Sequence, residues 1–281
     1  MRDRPAVRRA WIPGGGLGAV GAIILFALFV VSLFPALVAR HDPYAIDADR
    51  RLEPPSPAHP FGTDELGRDL WSRVAHGTRL SLGSALLVVA VSGSTGTALG
   101  LGAGYYGGRT GEAVMRVADI FIAFPALIMA MGITAFLGPG LAHAMLAVMV
   151  IWWPQYARLA RGQVLAETVK AYVEAARALG LSDLAILARH VLPNAWVPLV
   201  VKATMDVGLA LLLTASLSFL GLGVKPPTPE LGALVTQGRE HLLGAWWYTT
   251  FPGFVIFLAV LASNLLGDSL RDALDPALGR E

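Results

Sequence analysis

Lys202 and Asp206 lie four residues apart inside an otherwise apolar stretch, so they share one face of a helix. Ionisable groups in such a setting are costly and mark either a self-satisfied pair or a working site. Two readings follow: mutual pairing, with Lys202 reaching toward the inner end, or a role facing a lumen. Other spacings imitate enzyme motifs without their surroundings. Gly102-Ala103-Gly104-Tyr105-Tyr106-Gly107 fits G-x-G-x-x-G, but it closes a charge-free helix instead of joining a strand to a helix. Ser92-Gly93-Ser94-Thr95-Gly96 resembles a nucleophile elbow, yet its first residue is Ser and no His or Asp lies nearby. The six His residues show no H-E-x-x-H spacing, and the chain has no Cys, so metal ligation and thiol chemistry are not indicated. No G-x-x-x-x-G-K-[ST] loop occurs. The chain therefore reads as a non-enzyme with no cofactor of its own; any ATP must be bound by another chain.

The elements that hold these residues are membrane spans. Of 281 residues, 55% are hydrophobic and only 15% charged, against about 25% charged in soluble domains. No Asp, Glu, Lys or Arg falls between Arg9 and Arg40, between Arg79 and Arg109, or from Ile120 to Ala157. Each stretch is long enough for the roughly 20 apolar residues that cross a bilayer. The net charge of +2 is too small to suggest nucleic acid. Six spans are expected: Leu17–Ala39, Leu80–Tyr106, Ala113–Leu137, Leu141–Ala160, Trp196–Leu222 and Trp247–Gly267. The Leu137-Gly138-Pro139-Gly140 turn separates the third from the fourth. The first run exceeds a signal-peptide h-region, and Leu37 spoils a small-x-small cleavage site, so it reads as a retained helix.

With the N-terminus inside, thirteen Lys and Arg fall on inner segments and eight on outer ones. That bias places both termini in the cytoplasm. The inner set is Arg2, Arg4, Arg8, Arg9, Arg109, Arg116, Arg158, Arg161, Lys170, Arg177, Arg189, Arg271 and Arg280. Trp246 and Trp247 fit an aromatic belt at the outer start of the last span. The organisation expected is a tail over 1–16, a first span over 17–39, an outer loop over 40–79, a core over 80–270 and a tail over 271–281. In the outer loop, Pro54, Pro55, Pro57 and Pro60 forbid regular helix. Thr63 can then cap an amphipathic helix whose face is Leu66, Leu70 and Val74, lying on the membrane or packed on protein. Gly96, Gly100, Gly104 and Gly108 recur every fourth residue, a pattern that lets another helix approach closely.

The longest inner segment, over 161–195, reads as two short helices. The first carries Glu174-Ala175-Ala176-Arg177-Ala178-Leu179-Gly180, with Gly180 suited to a left-handed C-cap. Tyr172, Ala176 and Leu179 form a modest apolar stripe. Ser182 or Asp183 can cap the second helix, and Pro193 is expected to stop it before the chain re-enters the membrane.

This segment, with nine residues between Gly180 and His190-Val191-Leu192-Pro193-Asn194, resembles the EAA motif of ABC importer permeases. His190 stands where the general pattern has Ile. Arg189–Asn194 is similar to the peptide/nickel branch, as are His59-Pro60-Phe61-Gly62-Thr63-Asp64-Glu65-Leu66-Gly67-Arg68-Asp69, Met115-Arg116-Val117-Ala118-Asp119 with Pro125, and Leu217-Ser218-Phe219-Leu220-Gly221-Leu222-Gly223. The first of these strings resembles the C-type partner of each permease pair. Glu230-Leu231-Gly232 departs from the pattern, which has Trp before the Gly. The resemblance covers about residues 17–270. It implies an all-α polytopic membrane protein with the type I importer (MetI-like) fold of the bacterial inner membrane. It implies a homologous second permease, two ATPases, an extracytoplasmic substrate-binding protein, and di- or oligopeptides, nickel complexes or glutathione as cargo. It makes the segment 166–194 the coupling element, with Glu174, Ala175, Ala176 and Gly180 docking on an ATPase, and Leu192 and Pro193 shaping the return.

Overall fold

A computed structural model describes residues 15–274; the two chain ends, with Arg2, Arg4, Arg8, Arg9 and Arg280, lie outside the described residues. The described chain is helical, and its only β-type pairing is an isolated bridge between Thr63 and Asp69. The first apolar run forms α1 (Gly15–Leu33) and a one-turn α2 (Pro35–Val38). They part at Phe34, whose φ of −125° and ψ of 55° obey the restriction a following proline imposes.

The outer loop departs from expectation. Thr63 caps nothing; the N-cap is Asp69, whose carboxylate accepts from the Ser72 N–H at 2.8 Å. From there α3 (Leu70–Tyr105) runs 36 residues without a break. The expected amphipathic helix is thus the outer end of the second span, and it packs on protein. Leu70 and Val74 are buried against Leu231, Leu234, Trp247 and Tyr248. Trp247 is buried and donates to the Thr63 carbonyl at 3.2 Å, while Trp246 stays exposed. Arg73 is fully buried and ties the outer loops together. It pairs with Asp64 at 3.2 Å and donates to the Pro43 carbonyl at 3.2 Å. His41, His59 and Asp69 bring ligand-type atoms within 4.8 Å of one another. Arg50 donates to His59 Nε2 at 3.1 Å, so the proton sits on Nδ1, which donates to Asp69 at 2.8 Å. That is a hydrogen-bond relay, not a free ligand set.

The expected third span is two helices, α4 (Gly108–Ala123) and α5 (Ala126–Leu137), bent by 93°. Phe124 is extended because Pro125 follows it, and the helical ladder cannot cross that pair. Beyond the Gly-Pro-Gly turn lies α6 (Leu141–Thr168). Among the described residues, four helices, or five if the bent pair is one span, are long and apolar enough to cross a membrane. The expected count of six is not met on that measure because Trp152, Trp153, Pro154, Gln155 and Tyr156 interrupt the apolar run of α6.

The glycine stripe sets how α3 meets α6. A Cβ at Gly96 would lie 2.2 Å from the Trp153 carbonyl oxygen, and one at Gly100 2.2 Å from that of Ala157. A Cβ at Gly104 would lie 2.9 Å from Val164 Cβ. Gly108 does not share the role: its φ is +59° and it opens α4 with nothing within 4 Å. The central core is made by Val88, Val148, Tyr156, Leu211 and Leu217, among others.

Candidate coupling segment and intramembrane polar pair

After α6 the chain turns through Lys170 into α7 (Ala171–Ala178). Its end is a complete Schellman motif. Gly180 sits at φ +75°, its N–H donates to the Arg177 carbonyl at 2.9 Å, and the Leu181 N–H donates to the Ala176 carbonyl at 3.2 Å. The inward face is Val173 and Ala176, packed with Val164, Ile186, Leu187 and Val191. The expected stripe is therefore displaced: Ala176 points in, but Leu179 is 80% exposed. Glu174, Ala175 and Gly180 are exposed with it, on the side away from the bundle.

Ser182 caps α8 (Asp183–Ile186), its hydroxyl accepting from the Ala185 N–H. Pro193 does not stop this helix. A π-turn over Leu187–Val191 joins α8 directly to α9 (Leu192–Phe219), and Pro193 lies in the first turn of α9. Proline lacks an N–H and crowds the carbonyl four residues back. A wider π-turn ahead of it absorbs both effects, so α8 and α9 are one continuous rod. Leu192 is half-buried and Pro193 exposed at that join.

Three side-chain links fix the hairpin to the spans. Tyr105, the last residue of α3, donates to Asp183 at 2.7 Å, and the Arg177 guanidinium lies 5.3 Å over its ring. Lys170 pairs with the largely buried Glu167 at 2.6 Å. Tyr172 donates to the other oxygen of Glu167 at 2.5 Å and accepts from Asn194 at 3.3 Å. Burial, and then the neighbouring Glu167 carboxylate, push the Tyr172 hydroxyl up to about 12, so it stays a proton donor.

Lys202 and Asp206 do meet. Lys202 Nζ lies 3.0 Å from Asp206 Oδ2 and donates to Gln155 Oε1 at 2.9 Å. Trp152 Nε1 donates to Asp206 at 2.9 Å, and the Lys202 ammonium stands 5.2 Å over the Tyr156 ring. Trp152, Gln155 and Tyr156 belong to α6, so the pair on α9 bolts two spans together.

Residues 96–280 match the family described as binding-protein-dependent transport system inner membrane component. The chain belongs to that family. It is 44% identical over 268 residues to a probable D,D-dipeptide transport system permease protein, DdpC, of Escherichia coli K12, covering 95% of this chain and 90% of that one. It is 45% identical to the di/tripeptide permease protein DppC of Pseudomonas aeruginosa UCBPP-PA14, covering 93% and 88%. It is 43% identical to the glutathione permease protein GsiD of Pectobacterium atrosepticum, covering 92% and 86%. Among solved structures, an inward-facing methionine ABC transporter, MetNI, shares the fold with a TM-score of 0.53 at 22% identity, over 69% of this chain and 94% of that one.

The permease is thus a transport subunit of an inner-membrane ABC system, not an enzyme, with the MetI-like helical fold. Its α7–α8 hairpin uses residues that motif spacing does not flag. Glu167, Tyr172 and Asn194 form a polar chain from α6 through α7 to α9, and only their shared polarity in a Leu- and Ala-rich segment hints at it. At the outer end, α10 (Leu231–Arg239) starts at Glu230, whose carboxylate accepts from the Gly232 and Ala233 N–H groups and from Ser81 Oγ at 3.0 Å. Leu231, where the pattern has Trp, is fully buried, and a Cβ at Gly232 would lie 2.5 Å from the Ala215 carbonyl oxygen. The last span, α11 (Trp246–Leu274), packs on α1, where a Cβ at Gly21 would lie 2.8 Å from Leu265 Cβ.

Proposed function

We propose that this permease, paired with a homologous second permease, forms the membrane path for di- or oligopeptides delivered by an extracytoplasmic binding protein. Two separate ATPases energise it by engaging the exposed side of α7. The observation that carries the reading is the peptide specificity named for relatives 44% and 45% identical over nearly the whole chain. Glutathione, named for a third relative, is itself a tripeptide and falls in the same chemical class.

The hairpin supports the coupling role. Its inward face is cemented to α3, α6 and α9, while Glu174, Ala175, Leu179 and Gly180 are left free to meet a partner. Apolar Leu179 beside acidic Glu174 suits a groove with an apolar floor and a basic or amide-rich rim. A push on α7 reaches the membrane through the continuous α8–α9 rod. Both termini lie in the cytoplasm in this reading, the side favoured by the charge bias.

Two experiments test the proposal. Reporter fusions after Glu281 and within Pro54–Pro60 report opposite sides of the membrane; the same side for both contradicts the topology. Liposomes holding the full assembly accumulate labelled di- and tripeptides only with ATP and binding protein. Accumulation of neither, from an assembly that hydrolyses ATP in response to its binding protein, contradicts the cargo.

A further inference from the structure

The Lys202–Asp206 pair is not sealed inside the bundle. Asp206 is buried, but Lys202 keeps 22% of its side-chain surface and Gln155 is exposed. Counted from Trp196, where the fifth span is expected to begin, Lys202 lies about 9 Å and Asp206 about 15 Å along α9, inside a core of about 30 Å. Gln155 Oε1 is taken by Lys202, while its amide nitrogen has no hydrogen-bond partner among the described residues. Pro154 on α6 and Pro198 on α9 each remove a backbone donor close to this patch.

Lipid cannot hydrate such a surface. An unmet polar group in hydrocarbon is strongly unfavourable, and so is a lysine deep in a membrane helix. Water does satisfy both groups. We infer that the face of α6 and α9 presenting Gln155 and Lys202 lines the aqueous path, and that these two residues contact the carboxylate and backbone carbonyls of the peptide in transit. This rests on the peptide-transport reading above. Asp206 neutralises most of the lysine charge and, held by Trp152, fixes the ammonium in place. The contact it leaves is a weak one, as passage requires. The Lys202 ammonium lies toward the cytoplasmic half, so the contact is made after the peptide has left the binding protein.

The absence of Cys makes this directly testable, because any introduced thiol is unique in this chain. Gln155→Cys is compared with Phe257→Cys, an exposed apolar position on α11. Both are placed in the full assembly in liposomes, and labelling is read on this chain after separation from its partners. Membrane-impermeant methanethiosulfonates are added from the cytoplasmic side without nucleotide. Gln155→Cys is expected to react at least tenfold faster than Phe257→Cys. The anionic sulfonatoethyl reagent should outpace the cationic trimethylammonium one several-fold after correction for their intrinsic rates. Equal labelling of the two positions overturns the inference and leaves the patch covered by the second permease or by lipid. A faster cationic reagent also overturns it, because Lys202 is then not presented to the path. Peptide uptake by the parent in the same liposomes reads the transport function separately, so either proposal can fail alone.

Discussion

The Tyr105 hydroxyl, at the last residue of α3, donates a 2.7 Å hydrogen bond to the Asp183 carboxylate, at the first residue of α8. The end of α3 and the α7–α8 hairpin are joined there by an exposed contact, with Arg177 stacked over the same ring. The bond closes a loop of 78 residues, and Tyr105 also packs against the small apolar cluster that anchors α7.

Removing that bond should loosen the hairpin without unfolding the bundle. Such bonds contribute about 0.5–1.5 kcal/mol, and an exposed one stands at the low end. Tyr105→Phe is expected to insert at parental levels and to lower binding-protein-stimulated ATP hydrolysis by about two- to tenfold. Asp183→Asn, which keeps an acceptor for the hydroxyl, should fall between Tyr105→Phe and the parent. ATPase assays on the three reconstituted assemblies check the order. Equal rates in all three contradict a mechanical role for this contact.

The glycine stripe predicts a contrast within one helix. Gly100→Ala puts a methyl 2.2 Å from the Ala157 carbonyl oxygen, so α3 and α6 must separate. Overpacking of this kind costs about 1–3 kcal/mol. Gly102→Ala, two residues away, meets nothing within 4 Å. The first is expected to lower the apparent Tm of the detergent-solubilised protein by several degrees and the second to leave it unchanged. Fluorescence-detected thermal unfolding separates them, and equal midpoints contradict the packing.

Arg73 is a second stability test. It is fully buried and shares the Asp64 carboxylate with Arg68, so its loss leaves Asp64 paired but empties a large buried site, at a cost of about 3 kcal/mol. Arg73→Ala is expected to abolish accumulation in the membrane or to expose the outer loops to added protease. Arg73→Lys keeps the charge but loses the fork, and should be intermediate. Protease resistance of Arg73→Ala equal to the parent's contradicts the role assigned to Arg73.

How far these features could be read in the sequence depended on whether they were local. The Gly180 cap is visible because only a few residues set it, and the Gly96–Gly104 stripe because period four survives in one dimension. Charge-free runs located the apolar spans for the same reason. The helix start at Leu70 was missed because Asp69 and Thr63 are both good caps, and only the fold of 40–69 around Arg73 decides between them. The break at Phe124 was carried by one Pro125 in an apolar run, and prolines inside helices are equally compatible with a continuous span, as Pro154 and Pro198 show. Pro193 illustrates the converse. It reads as a stop, but the π-turn before it lets the helix continue. The contacts of Gln155 with Lys202, 47 residues away, carry no local signature.

If α7 transmits ATPase motion to a peptide path, altering its exposed end should uncouple the two. Gly180 has φ +75° with open space around it, so a substitution there strains the backbone without disturbing packing. Gly180→Val costs roughly 1–2 kcal/mol at a left-handed position, and Glu174→Lys reverses an exposed charge beside it. Parent and variants are assembled with the second permease, both ATPases and the binding protein, and peptide uptake and ATP hydrolysis are followed in the same liposomes. Both variants are predicted to reach the membrane at near-parental levels. Both should lose most uptake and most binding-protein-stimulated hydrolysis, with less ATPase co-purifying. Uptake and stimulation equal to the parent in both variants would contradict the account.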